Sequence, residues 1–420
     1  MLTNLLRKAV PKPVHPPIRR VVLFFIPLLQ RRLRRTWRRC NRLLRRIRRL
    51  PLNPILRKRL KQHVWLRVGR LLLWDRRSGN RAVDTADQIH LVCPLLSHRG
   101  GGPQRALHLF EELKNHREVF LWSEQSLWSE REPDPAFSER YPVRSIVPER
   151  LEFPKTGTLV FVSSYFPVGP WVRYTSPRRI ILVHNNNTMT PRDFQRKLRQ
   201  LSNGRRREVE VMYASELTKK LAGNYPGYVQ PSLIDLDRFV PADRKPSDSP
   251  SVTFTVGRMS RANPKKHHSD DPRLYRRLVE EGCQVRIMGP SPALEEELGG
   301  IESITLLPMF AEEAHLFLQG LDCFFYRTSE GWSEPSGRVV TEAMACGLPV
   351  VCHESGGYAE WIEHGRNGFL FESQQEALEI LLGLKEDPAL RERVGREARR
   401  TAEELFSDAV RSEVIEFYLR

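Results

Sequence analysis

The sequence predicts an α/β protein: two parallel-sheet domains facing each other across a cleft, preceded by a basic α-helical arm. Three observations predict it. Short, β-rich apolar runs alternate with helical periods; this alternation occurs twice, on either side of a polar, proline-flanked stretch; and the basic charge of the chain is confined to its beginning.

Of 420 residues, 40% are hydrophobic, enough chain and enough apolar content for two or three packed domains. The formal charge of +18 is unevenly placed. Residues 1–82 carry 25 Lys or Arg and one acid, Asp75, a balance of +24; residues 83–420 carry 43 bases and 49 acids, a balance of −6. The body is therefore not a polycation, and the basic partner-binding character belongs to the arm. The six cysteines form no CxxC pair and no metal-ligand spacing, which reads as reduced thiols in a cytoplasmic protein. The adjacent His267 and His268 lack a third ligand nearby in sequence, so no metal site and no cofactor is expected.

The arm, residues 1–86, opens with the apolar run VVLFFIPLL at 21–29, followed directly by RRLRR. Nine helical residues rise about 13 Å, short of the roughly 30 Å hydrocarbon core, so this run can dip into a bilayer and cannot span it. Leu33, Trp37, Cys40, Leu43, Ile47 and Leu50 then recur at helical spacing among arginines, and Leu56, Leu60, Val64, Val68 and Leu71 repeat the pattern after Pro51 and Pro54. Two cationic amphipathic helices in tandem fit an anionic membrane surface. Nucleic acid is the less favoured partner, because phosphate backbones reward charge without needing an apolar face. Packing of the arm on the body is the remaining alternative.

The first alternation, residues 87–245, gives strands at IHLVC, EVFLW, TLVFV, RIILVH and VEVMY, with a helix from Ala106 to Leu113. Pro241 to Pro250 reads as a linker. The second, residues 246–400, gives strands at VTFTVG, QVRIMG, ITLLP, LDCFFY and PVVCHE, with helices near Arg273–Glu281, Ala311–Gln319 and Gly337–Cys346. Runs apolar throughout point to parallel sheets covered on both faces, Rossmann-like, whose ligands bind at the carboxyl edges of the strands. Residues 401–420 form a last helix that can cross back to the first domain.

The chemistry concentrates in EPSGRVVTEAMACGLPVV, Glu334 to Val351. Ser336 and Gly337 can open a helix, Gly347 suits a left-handed cap and Pro349 forbids continuation. Glu342 then lies roughly 12 Å from Glu334, with a helix amino terminus between them to meet an anion. A sugar, a diphosphate and a ribose in a row have that length.

This string resembles the carboxyl-domain signature of glycosyltransferase family 4, E-P-F-G-x-x-x-x-E-A-M-A-x-G-x-P-V-V. The resemblance runs from about Gln88 to the carboxyl terminus. It implies the GT-B fold of two Rossmann-like domains and a retaining, metal-independent transfer from a UDP- or GDP-type sugar to a glycan or lipid-linked acceptor. It further implies that Glu334 positions the sugar, that Glu342 accepts from the ribose, and that Ser336, Gly337 and Arg338 line the donor site. Ser336 replaces the usual aromatic and Arg338 follows the glycine, so the donor sugar is left open. VGRMSRANPKKHH resembles the family's G-R-x-x-x-x-K-G loop, which would put Arg258 and a lysine, Lys266 in preference to Lys265, on the diphosphate. Gly101 and Gly102 match the amino-domain glycine loop, and His184 a histidine that faces donor and acceptor. Gly356 and Gly357 match a glycine pair that offers backbone to the donor, while Asn367 and Gly368 read as a structural hairpin turn. The arm has no counterpart in the family. A nucleotide-sugar epimerase or hydrolase of the same fold, and a catalytically silent binding protein, remain as alternatives.

Overall fold

The computed structural model describes residues 42–45, 47, 56–64, 66, 87–94, 101–124, 135–150, 152–204, 207–243 and 253–420. Seven strands form the first sheet: β1 (Ile89–Cys93), β2 (Val119–Ser123), β3 (Val143–Ser145), β4 (Thr158–Val162), β5 (Arg179–His184), β6 (Glu210–Tyr213) and β7 (Tyr228–Val229), in the order β3-β2-β1-β4-β5-β6-β7. Its helices are α1 (Gly101–Leu113), α2 (Pro135–Arg140), α3 (Pro191–Leu201) and α4 (Glu216–Leu221). The second sheet holds β8 (Thr255–Met259), β9 (Gln284–Met288), β10 (Ile304–Leu307), β11 (Cys323–Tyr326), β12 (Val350–His353) and β13 (Phe369–Phe371), in the order β10-β9-β8-β11-β12-β13. Around it run α5 (Asp271–Glu280), α6 (Pro292–Leu298), α7 (Ala314–Gln319), α8 (Arg338–Ala345), α9 (Gln374–Glu386), α10 (Pro388–Leu405) and α11 (Asp408–Leu419).

Every pairing between these strands is parallel. Parallel strands need crossovers, and crossover helices cover both faces, so the strands bury residues on both sides. In the first sheet Val92, Leu159, Phe161 and Leu182 face Phe194 and Leu198, whereas Leu91, Val160 and Ile181 face Ala106 and Leu109. Both sheets are doubly wound, reversing strand order between β1 and β4 and between β8 and β11, the points at which such folds bind ligands.

Two expectations are corrected here. Asn367 and Gly368 do not close an antiparallel hairpin: Phe369–Phe371 is a parallel edge strand beside β12. Asn367 instead pins the loop, accepting from Glu363 N at 2.7 Å and donating to Trp361 O and Thr401 Oγ1. The helix expected over Ala311–Gln319 is shorter, Ala314–Gln319, with Phe310 in a positive-φ conformation ahead of it.

The final helix α11 lies on the first domain. Val414, Phe417 and Tyr418 are buried with the α1 face of that sheet, and Arg179 donates to Phe417 O at 2.8 Å. Each such apolar side chain contributes about 2 kcal/mol to holding the two domains on one chain return.

The arm also meets the body. Leu66 is 1% exposed and belongs to the core that holds Phe153 and Trp171, and Val64 and Gln62 are buried beside it. The second amphipathic stretch therefore spends part of its apolar face on the first domain. The run 21–29 and Leu33, Trp37, Cys40, Leu50, Val68 and Leu71 lie outside the described residues. Among the described residues, no helix is long and apolar enough to cross a membrane. Cys93, Cys283, Cys323, Cys346 and Cys352 are buried free thiols.

Candidate active site

The two sheets meet through the loops at their carboxyl ends. From the first domain, Asn187 donates its amide to Ser333 O and Ser215 donates its hydroxyl to Pro335 O. Ser215 also caps α4, and the next two backbone N–H groups of that helix, Glu216 and Leu217, donate to Glu360 of the second domain at 2.8 and 2.7 Å. A carboxylate from one domain thus completes a helix end of the other. Both contacts hold the loop that carries Glu334 and Ser336.

That loop turns into α8 through Gly337, which caps the helix at φ 65°, ψ 51° with no side-chain cap on the first-turn N–H groups. Only glycine fits here, for a second reason: a Cβ would stand 2.3 Å from the Tyr358 ring. Glu334 receives the ammonium of Lys266 and, at 3.1 Å, the hydroxyl of Tyr326. Burial, and then the Glu334 charge, push the Tyr326 hydroxyl well above its ordinary range, so it stays a donor. One turn into α8, Glu342 pairs with Arg338 at 2.8 Å. Burial raises the Glu342 carboxyl and Arg338 opposes the rise.

Behind Lys266 lies a buried charge cluster. Arg258 donates to Asp271 at 2.8 Å and to Lys266 O; Arg327 donates to the other Asp271 oxygen at 2.9 and 2.7 Å. Arg258 and Asp271 are at most 1% exposed. Arg258 is thus committed to holding the loop of Lys266, and its ring-face neighbour Tyr326, at 5.3 Å, belongs to the Glu334 network. Of the two candidate lysines, Lys266 reaches into the site, while Lys265 is exposed with its ammonium 4.8 Å from the Trp332 ring centre. His267, standing where the family pattern has glycine, bonds Gly289 O at 3.1 Å; burial lowers it to about 3, with Arg258 adding to the effect.

The remaining sequence candidates are placed as follows. Ser336 is half-buried beside the turn. Gly356 packs against Tyr358, and Gly357 lies so close to Pro335 O that a Cβ would sit 2.1 Å from it; its N–H donates to Glu334 O at 2.8 Å, so this backbone fixes the Glu334 loop. Gly102 is buried at the start of α1, where a Cβ would meet Ser163 Oγ at 2.3 Å, while Gly101 has open space. Ser163 itself takes φ 83° at the carboxyl end of β4, strain of the kind that collects at ligand edges. His184 is fully buried, with Nδ1 2.7 Å from Ser164 Oγ and its ring against Phe194 and Tyr213; burial lowers it to about 4. The structure brings together Glu334, Lys266, Gly337, Arg338 and Glu342; it leaves His184 beneath the surface of the first domain. Tyr326, Asp271, Arg327, Ser215 and His108 join the site unforeseen: Arg327, Ser215 and His108 enter through contacts 56, 120 and 230 residues apart, whereas Tyr326 reaches Glu334 from the strand eight residues before it. Among the described residues no group of three His, Cys, Asp or Glu could hold a metal ion.

Two doubly wound parallel sheets that meet through the loops at their carboxyl ends have the architecture of the GT-B glycosyltransferase fold. Residues 240–401 match the family described as "Glycosyl transferases group 1". In structure the chain is similar to Anabaena HepE, solved in complex with UDP and glucose, with a TM-score of 0.61 at 16% identity over 78% of this chain and 98% of that one. It is also similar to WaaG, a glycosyltransferase involved in lipopolysaccharide biosynthesis, with a TM-score of 0.56 at 13% identity over 79% and 99%. In sequence it is 42% identical over 81 residues to spore coat protein SA of Bacillus subtilis, 19% of this chain and 22% of that protein. A D-inositol 3-phosphate glycosyltransferase of Arthrobacter sp. (strain FB24) is 42% identical over 69 residues, 16% of each chain. The matched region spans about a fifth of the length of these curated relatives.

Proposed function

We propose that the protein is a retaining glycosyltransferase that moves a sugar from a UDP- or GDP-type donor to an acceptor hydroxyl. The observation that carries the reading is the row formed by Glu334, Lys266, the uncapped amino end of α8 and Glu342. Glu334 accepts hydrogen bonds from sugar hydroxyls, Glu342 accepts them from ribose hydroxyls, and the diphosphate lies between, at the helix end.

As the bond from the anomeric carbon to the phosphate oxygen breaks, charge grows on the leaving diphosphate. Lys266 and the α8 N–H groups meet it without a metal ion. The acceptor oxygen bonds to the anomeric carbon on the face the phosphate leaves, and its proton passes to the departing phosphate oxygen. Glu334 positions the sugar and does not attack it. His184 acts, on this reading, through Ser164 and the shape of the first-domain wall. The acceptor is a glycan or lipid-linked molecule in cell-envelope polysaccharide or lipopolysaccharide synthesis, with the basic arm holding the enzyme at the anionic cytoplasmic face of the membrane; the support for this is the arm's charge and apolar pattern.

Calorimetric titration of UDP, GDP, ADP and dTDP in chelator tests the reading. Tight binding of one nucleotide, weakened by Glu342→Ala, is expected; binding of none rejects it. Turnover of donor without acceptor would instead favour an epimerase or hydrolase.

A further inference from the structure

Arg338, the residue after Gly337, makes two contacts at once. Its Nε lies 2.8 Å from Glu342 Oε1 on the same helix, and its Nη2 lies 3.3 Å from His108 Nε2 on α1 of the other domain. His108 Nδ1 is 3.0 Å from Leu233 O, and because a carbonyl only accepts, Nδ1 carries the proton and Nε2 presents a lone pair to the guanidinium. Burial, reinforced by Arg338, lowers His108 to about 4, so the ring is neutral.

We propose that Arg338 is a positioning residue of the donor site, which keeps Glu342 ionised and aimed for a ribose diol and, through His108, ties that readiness to the meeting of the two domains. The inference rests on the reading of Glu342 as the ribose acceptor.

A carboxylate can accept from both hydroxyls of a vicinal diol, whereas a protonated carboxyl gives up one of those acceptors to its own proton. Glu342 is enclosed, with 9% of its side chain exposed, so its charge needs support. The charged and titratable groups around it are Arg338 on its own helix, Arg238 from the segment between the domains, the Cys346 thiol one turn on, and, beyond that, Arg399 of α10, which donates to Ala345 O at 2.7 Å. Arg338 alone among the described residues forms an ion pair with it. The guanidinium also has the fork needed to serve a carboxylate and an imidazole together, which an ammonium lacks.

The test is the pH dependence of donor affinity, with UDP-glucose and GDP-mannose as probes because their esterified phosphates do not titrate between pH 5.5 and 8. Arg338→Met removes both contacts, so it should bind more weakly than wild type at every pH, with a loss at least about tenfold greater at pH 5.5 than at pH 8 and a midpoint displaced upward by about one pH unit or more. Arg338→Lys should restore the wild-type pH dependence, since it returns the charge beside Glu342, and keep the pH-independent loss, since an ammonium does not reach His108 as well. His108→Phe should lower affinity by a similar factor at every pH, since it removes the domain contact and leaves the ion pair. If Arg338→Met fails to fold, Arg338→Gln, which also removes the charge and keeps a polar side chain, carries the same test. Wild-type and Arg338→Met profiles that superimpose overturn the inference and leave the donor-site reading standing. A His108→Phe profile identical to wild type overturns its interdomain half. Wild type that binds neither probe rejects the donor-site reading and the inference with it.

Discussion

Tyr326 Oη and Lys266 Nζ converge on one oxygen of Glu334, at 3.1 Å in the case of the tyrosine. The lysine comes from a loop 68 residues earlier in the chain, so the ion pair assembles the site rather than merely decorating it. It must also open: a diphosphate arriving at the α8 end competes with Glu334 for the same ammonium. Lys266→Met removes the cation that meets the leaving group and leaves a largely buried carboxylate unpaired. Nucleotide-diphosphate affinity should fall by roughly 10-fold to 100-fold, about 1.4–3 kcal/mol, with turnover falling further because the leaving-group charge grows in the transition state. Calorimetry and initial-rate kinetics on the same variant separate the two effects, and equal losses in both would mean that Lys266 serves ground-state binding alone.

Asp271 carries the two buried arginines behind that lysine, Arg258 and Arg327, with no exposed surface of its own. Asp271→Asn keeps the shape and removes the charge, leaving two guanidinium groups facing each other in a dry pocket. Breaking a buried charge network in this way costs about 3–5 kcal/mol. The urea midpoint should drop accordingly, and nucleotide affinity with it, because the Lys266 carbonyl is held by Arg258. A variant as stable as wild type would show that the cluster is wetter than its burial indicates.

The sequence carried what depends on local order. Strand runs, the Gly347 stop and the E-x7-E spacing are written within a few turns of chain, and the structure places Glu334 and Glu342 on either side of a glycine-capped helix end. Contacts that join distant segments leave no periodic trace. Nothing near Asp271 announces that Arg258 and Arg327 will close on it from β8 and the end of β11, nor near His108 that Arg338 will reach it across the cleft. The Asn367-Gly368 dipeptide shows the opposite failure: a hairpin signal was overridden because Phe369–Phe371 finds its partner in the parallel strand β12.

Gly357 makes a sharper local claim. Its N–H reaches Glu334 O, and a methyl group there would stand 2.1 Å from Pro335 O and 2.7 Å from Ser215 Oγ. Gly357→Ala should therefore loosen the domain contact and displace Glu334 together. A loss of donor affinity with little change in the thermal midpoint is the expected pair of results; an unaltered affinity would mean that the loop shifts without moving the carboxylate.

Stability should depend on pH in a window set by three buried histidines. His108 and His184 are lowered to about 4 and His267 to about 3, all chiefly by burial, against an ordinary value of about 6.5. Below about pH 6.5 the unfolded chain takes up protons that the folded chain refuses, so stability falls as pH drops from about 6.5 toward 4 and is flat above as far as these groups are concerned. Glu342 and Glu360, raised by burial, act in the opposite sense, and lose stability as pH rises through their folded values. His353, also lowered by burial, adds to the histidine side, and the urea midpoint should be lower at pH 5 than at pH 7.5. A midpoint that rises on acidification would mean that the carboxyl pair dominates.

The arm calls for a different kind of variant. Deleting residues 1–82 would strip Gln62, Val64 and Leu66 from the core around Trp171, so lost activity would confound membrane release with damage to the first domain. Replacing the six arginines of RRLRRTWRR, residues 31–39, by glutamine avoids the buried stretch. At about 1 kcal/mol for each cation near an anionic surface, their loss should reduce co-sedimentation with vesicles of anionic phospholipid by well over tenfold at physiological salt. Nucleotide binding by the same protein certifies that the cleft is intact. Undiminished sedimentation would leave the apolar run as the attachment, and sedimentation absent from the wild type would assign the arm to the body alone.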